Sequence, residues 1–348
     1  MHQPICDLQF AICNLKSTVR TYEGIMTTDL VHAGVRKLVE ANARVRPGEA
    51  VVIVTDGTMQ SIVELVKQAG VDAGAQVTAC LMSLRDQDGQ EPPPPVAAAM
   101  REAAVIFSPV SVSITHTQAM RAALDAGARA ILMTAYTEEI LTSPALLETD
   151  FEVQAAVCRR FGEELSRGTN VRLTSPRGTD LTFSIDGRRA NVLTNVPEPG
   201  ELAPVPDIEV NVVPVTGTAE GVLIADASIP YIGIGVLDEP ITCQVEQGFI
   251  TSLHGGPQAG VIRAALDAHG DPNCYNVAEL GIGLNPNASL SGHMLVDEGV
   301  IGTIHIGIGT SHTLGGEVIA PTHYDLLMWD PTIEIDGRTV QRGTEILV

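Results

Sequence analysis

The chain has 348 residues, room for two domains of ordinary size, and 45% of them are apolar, the content of a packed globular protein. Its 42 acidic residues against 21 basic ones give a net charge of −21, a surface that repels nucleic acid and anionic membranes. Six cysteines, at 6, 13, 80, 158, 243 and 274, form no C-x-x-C pair and no dense framework, so free thiols in a reducing, cytoplasmic setting are expected. No apolar run reaches eighteen residues, and no transmembrane helix is expected.

Residues 1–25 lack a basic start, and Asp7 and Asn14 interrupt their short apolar stretch. They read as an N-terminal extension, poorly ordered, rather than a signal peptide. From Thr27 strands and helices alternate. "TTDLVHAGVRKLVEANARV" sets Val31, Val35, Leu38 and Val39 on one helical face, capped by Thr28 or Asp29. "AVVIVTD" is a buried strand, "MQSIVELVKQAGVDAG" a helix with a glycine stop, and "QVTACLMS" the next strand. The loop "DQDGQEPPPP" follows, its prolines excluding helix and central strand. Helix "VAAAMREA", strand "AVIFSPV", helix "HTQAMRAALDAG" and strand "ARAILMT" complete the series. Such alternation predicts an α/β domain, 26–169, with a parallel sheet covered on both faces. "SPALLETDFEVQAAVCRRFGEELSRG" reads as one long helix leaving it.

Beyond residue 170 short alternating strands are separated by Gly and Pro: "VRLTSPRGTDLTFSIDG", "DIEVNVVP", "EGVLIADASI", "ITCQVEQGFITSLHGG". Residues 170–348 are therefore expected to form an α+β, β-rich domain around a curled mixed sheet, with "PQAGVIRAALDAHG" as a helix within it.

The first strand ends in "VTDGTMQ", with one glycine where a dinucleotide site needs three. P-loop, G-x-S-x-G and H-E-x-x-H patterns do not occur. His32 and His116 read as ordinary helix residues. Six of the nine histidines fall between 254 and 323. Three stretches there carry polar groups on apolar strands: "NVAELGIGLNPNA" with Glu279, "GTIHIGIGTSHTLGG" with His305 and His312, and "APTHYDLLMW" with His323 and Asp325. Side chains two apart on a strand share a face, so His323 and Asp325 point the same way. Such groups are costly to bury unpartnered, and a cation among them would neutralise the carboxylates while taking the imidazole lone pairs. Mixed N/O donors suit Mn, Zn, Co or Fe. His254 and His293 are candidates for contacting a small-molecule substrate, Asp297 and Glu298 read as solvated, and Arg172, Arg177 and Arg188 are open candidates for a substrate carboxylate.

These pieces, in this order, resemble the aminopeptidase T family of metallopeptidases, and "SPRGTDLTFSIDGR" and "TNVPEPGELAPVP" upstream agree with it. The resemblance implies metal ligands at Glu201, Glu279, His305, His312, His323 and Asp325, His312 standing where that family has a tyrosine. It implies one or two divalent ions, Glu201 or Glu279 as proton shuttle, and a homodimer. "ITCQVEQGFITSLHGGPQAG" looks like the matching part of the 2,5-dihydroxypyridine 5,6-dioxygenases, ring-cleaving Fe(II) enzymes on the same scaffold. Their closing H-x-D matches His323 and Asp325. Their other histidine aligns with Glu279, and they lack an equivalent of His305. The scaffold also resembles a metal-dependent aminohydrolase of a nitroaromatic amine. The resulting expectation is a divalent-metal-dependent hydrolase acting on a small amide or amine. A dihydroxypyridine-type dioxygenase and a leucyl-type aminopeptidase are the alternatives, and a non-catalytic binder is disfavoured by the ligand set.

Overall fold

The computed structural model describes residues 28–348; the expected extension over 1–25 lies outside them. Helix α1 (28–37) runs on into a π-helical turn, Leu38–Asn42. Strands β1 (Ala50–Thr55), β2 (Gln76–Leu81), β3 (Val105–Ser108) and β4 (Arg129–Leu132) alternate with helices α2 (Gln60–Asp72), α3 (Pro94–Arg101) and α4 (Gln118–Asp125). All sheet pairings here are parallel, and the order is β2-β1-β3-β4-β8. β1, β3 and β4 are buried almost throughout, which explains their unbroken apolar runs. Two prolines of the four-proline loop open α3 instead of lying outside it. A first-turn proline loses no helical hydrogen bond and its φ suits the helix.

The long helix expected over 143–168 is broken into α6 (Pro144–Leu147) and α7 (Phe151–Arg167), after the short α5 (Glu138–Thr142). The Asp150 side chain accepts from Val153 N and starts α7 afresh. The boundary near residue 170 does not separate the sheets, because β8 (Leu202–Ala203) returns to pair with β4.

The remaining strands form two larger sheets. One has eight strands, in the order β14-β13-β10-β6-β5-β18-β19-β20. Its members are β5 (Asn170–Thr174), β6 (Asp180–Ser184), β10 (Glu220–Ala225), β13 (Ile241–Glu246), β14 (Phe249–Gly255), β18 (Thr332–Ile335), β19 (Arg338–Arg342) and β20 (Glu345–Ile346). The other runs β17-β16-β15-β9-β7, from β7 (Asn191–Leu193), β9 (Glu209–Val212), β15 (Val277–Gly283), β16 (Thr303–Gly309) and β17 (His323–Trp329). Both are antiparallel throughout and not mixed. Short turns allow antiparallel neighbours, whereas a parallel pair needs a crossover. A small hairpin, β11 (Ser228–Ile229) and β12 (Gly235–Val236), lies beside them. Helix α8 (Pro257–Asp267) is where the sequence places it, and α9 (Met294–Asp297) is a single turn. One apolar core runs from Val31 through Phe161 to Val340, across the expected boundary. Among the described residues no helix is long and apolar enough to cross a membrane, and Cys80, Cys158, Cys243 and Cys274 are free thiols.

Candidate metal centre

The five-stranded sheet sets one polar face. Residues directly opposite each other in neighbouring strands share a face, and the register pairs Glu279 with Gly307, Gly307 with Asp325, Gly309 with His323, Gly281 with His305 and Gly283 with Glu209. Each functional side chain thus stands opposite a glycine. All four of these glycines are required by space: a Cβ on Gly281 would lie 1.9 Å from His305 Nε2, one on Gly307 would lie 2.7 Å from His323 Nε2, and one on Gly283 or Gly309 would clash with the backbone oxygen of Val300 or Thr322. The repeated G-I-G pattern of β15 and β16 leaves room for two imidazoles.

Donor atoms converge in three overlapping groups: Glu209, Glu279 and His305; Glu279, His323 and Asp325; Asp207, Glu209 and Glu298. His323 Nε2 is 2.9 Å from Glu279 Oε2 and 3.4 Å from Asp325 Oδ1. His305 Nε2 is 3.4 Å from Glu209 Oε2, 3.9 Å from Asp325 Oδ1 and 4.0 Å from Glu279 Oε1. Glu209, Glu279, His305 and Asp325 are buried.

Burial pushes the Glu279 carboxyl up and Glu209 up to about 7. Burial and the neighbouring carboxylates lift Asp207 and Glu298 well above the carboxylate range. Burial alone would raise Asp325 too, but His323 and His305 outweigh it and pull it below that range. Burial alone would depress His323, yet Asp325 and Glu279 hold it well above its usual value. Five carboxylates in one buried patch are costly without positive charge among them.

Three observations fit a divalent cation. His323 Nδ1 lies 2.7 Å from Thr310 O. That contact places a proton on Nδ1, so a cation taking the place of the Nε2 proton would meet that nitrogen's lone pair beside the Glu279 carboxylate. Glu209 Oε2 and Asp325 Oδ1 are buried with no hydrogen-bond partner. The donors are imidazole nitrogens and carboxylate oxygens, with no thiolate among them.

The sequence-derived set is corrected at several positions. Glu201 is exposed and accepts from Glu198 N at 3.0 Å; it does not join the cluster, and Glu209 stands there instead. His312 lies on a 3-10 turn (His312–Leu314) and lines the cavity rim without reaching the converging donors. His254 and His293 are exposed and do not line the cavity. Asp297 and Glu298 are buried rather than solvated. Asp297 is enclosed by Ser228 Oγ and by the backbone N–H groups of Ser291 and Gly292. Arg172, Arg177 and Arg188 pair with Asp180, Asp226 and Glu317 away from the cavity.

A cavity of about 780 Å³ opens over the cluster. Its far wall comes from the loop between β3 and α4, including Ser113, Thr115 and His116, with Thr134 after β4. The carboxyl ends of parallel strands are the usual place for ligands in such sheets. His116 precedes α4 in the turn capped by Thr117; burial, then His323, depresses its imidazole. Tyr231, also unanticipated, has its Oη 2.7 Å from both Glu298 Oε1 and Asp325 Oδ2.

Among solved structures, 2,5-dihydroxypyridine dioxygenase from Pseudomonas putida superimposes with a TM-score of 0.79 at 19% identity, covering 91% of this chain and 96% of that one. Aminopeptidase T from Thermus thermophilus follows at 0.67 and 18%, covering 92% and 100%. At these identities the likeness is one of fold. A curated 2,5-dihydroxypyridine 5,6-dioxygenase of Pseudomonas putida is 28% identical over 142 residues, 37% of this chain and 40% of that protein. The aligned part is thus less than half of that relative's length. The family model for 2,5-dihydroxypyridine 5,6-dioxygenase (NicX) matches residues 31–347. With nearly all of its described length under that model, and the α/β and antiparallel sheets of the aminopeptidase T scaffold, the chain belongs to the 2,5-dihydroxypyridine 5,6-dioxygenase family.

Proposed function

We propose that the chain is a divalent-metal-dependent hydrolase acting on a small cyclic amide or amine. Glu279, His323 and Asp325 would hold the cation, with His305 and Glu209 completing the donor set. The observation that carries the reading is Glu279. The tight group on β15 and β17 holds two carboxylates and one imidazole, whereas oxygen-activating iron sites pair two imidazoles with one carboxylate. When bound, the cation supplies Lewis-acid polarisation and a water of lowered pKa. Of the two residues given the proton role from sequence, Glu201 stands outside the cluster and Glu279 within it, so Glu279 would carry that role through a carboxylate oxygen the ion leaves free. The cavity suits a small molecule, and Ser113, Thr115 and His116 face the cluster with hydrogen-bonding groups for a polar ring substituent.

A second reading, Fe(II)-dependent ring cleavage, is favoured by the family match over residues 31–347 and by His305, whose Nε2 is 3.9 Å from Asp325 Oδ1 and offers the second imidazole. The test is to strip the protein with chelator and restore Mn, Zn, Co or Fe(II) separately. Each form is then offered aminated and hydroxylated pyridines and benzoates, and leucyl amides. Ammonia or amine release without oxygen uptake supports the hydrolase. Oxygen uptake with a dihydroxypyridine, only with Fe(II), replaces it with the dioxygenase. Amino-acid release from leucyl amides selects the aminopeptidase.

A further inference from the structure

Three donors of the cluster, His323, Glu209 and Asp325, each carry two polar atoms, and the chain engages one of them from behind. His323 Nδ1 meets Thr310 O at 2.7 Å. Glu209 Oε1 accepts from Asn211 Nδ2 at 2.6 Å. Asp325 Oδ2 lies 2.7 Å from the Tyr231 hydroxyl. On the two carboxylates what remains is one bare atom each: Glu209 Oε2 and Asp325 Oδ1 are buried with no hydrogen-bond partner. Asn211 belongs to the five-stranded sheet and Thr310 directly follows its strand β16. Tyr231 does not: it sits in the turn between β11 and β12. Its ring packs against Tyr324 with centroids 5.5 Å apart, so the phenol is held by packing as well as by its hydroxyl.

We propose that Tyr231 is a positioning residue for metal binding: its hydroxyl holds Asp325 Oδ2 so that Asp325 turns Oδ1 alone toward the ion. This inference rests on reading the cluster as a cation site. A carboxylate free to rotate must be ordered when the ion binds, and partners that orient ligands from behind are worth roughly 10–100-fold in metal affinity. A phenol anchored outside the sheet also ties the β11–β12 hairpin to the site, so the hairpin and the ligand strand move together.

The test compares wild type with Tyr231→Phe, which keeps the ring and its contact with Tyr324. Both are stripped with chelator and titrated with Mn2+ by calorimetry. The expected result is an affinity roughly 10–100-fold weaker in the variant, with the melting temperature of the chelated proteins unchanged. Binding within twofold of wild type overturns the inference. Glu201→Gln is the companion variant. Its exposed side chain stands outside the cluster and it is expected to bind Mn2+ close to wild type; a loss there equal to that of Tyr231→Phe shows that the effect is not particular to the phenol and also overturns the inference. If wild type itself binds none of Mn2+, Zn2+, Co2+ and Fe2+, the cation-site reading fails and this inference with it. Wild-type binding with an unaffected Tyr231→Phe sinks the inference alone.

Discussion

Removing the cation should make stability depend on pH in an unusual direction. Glu209 is buried, and its folded-state pKa of about 7 stands above the 4.5 of a glutamate in the unfolded chain. Between those values the folded chain binds more protons than the unfolded one, so stability falls as pH rises. The contribution is fully present below pH 4.5 and lost as pH passes through 7. The whole shift, 7 − 4.5 = 2.5 units, corresponds to about 3 kcal/mol at 1.36 kcal/mol per unit. Integrated between pH 6 and pH 8, the same linkage gives about 1 kcal/mol. His323, raised by Asp325 and Glu279, acts in the same direction, whereas His116, depressed by burial, opposes it. The Glu209→Gln variant therefore isolates the term. Denaturant melts in EDTA at pH 6 and 8 should show wild type losing about 1 kcal/mol more than Glu209→Gln on going to pH 8. Saturating Mn2+ at pH 8 should restore wild type. Equal pH slopes for the two proteins in EDTA would refute the reasoning, because Glu209 would then not be a carboxylate ionised at a cost.

Glu279→Ala removes a donor shared by two of the converging groups and should abolish retention of metal through gel filtration, read by elemental analysis; full retention with activity would end the assignment. Glu201→Gln should leave Mn2+ affinity within about twofold, since an exposed side chain that only accepts from Glu198 N adds little away from special features. Gly281→Ala forces a Cβ to within 1.9 Å of His305 Nε2. The imidazole must move, and a destabilisation of about 1–3 kcal/mol is expected in thermal melts together with weaker Mn2+ binding by calorimetry.

Local rules carried part of the site. His323 and Asp325 share a face because strand side chains alternate; the room that the G-I-G repeats beside Glu279 and His305 leave for the imidazoles shows only in the folded sheet. The run of buried β-branched strands between helices was enough for the parallel sheet. Other choices belonged to the folded chain. Glu201 and Glu209 are eight residues apart in one acidic, proline-rich stretch, and nothing local distinguishes them as ligands. The pairing of Glu209 with Gly283 in β15 does. That register is set by contacts between distant segments, and a slip of one residue would turn Glu209 to the other face. The burial of Asp297 and Glu298 needed Ser228 and Tyr231 from the distant β11–β12 hairpin. His116 became a wall of the cavity only when the loop after β3 was laid over the antiparallel sheet. Alternation is a property of neighbours along the chain and can be read there; which of 42 acidic side chains converge in one cluster is decided by long-range strand pairing, and only the tertiary structure holds that.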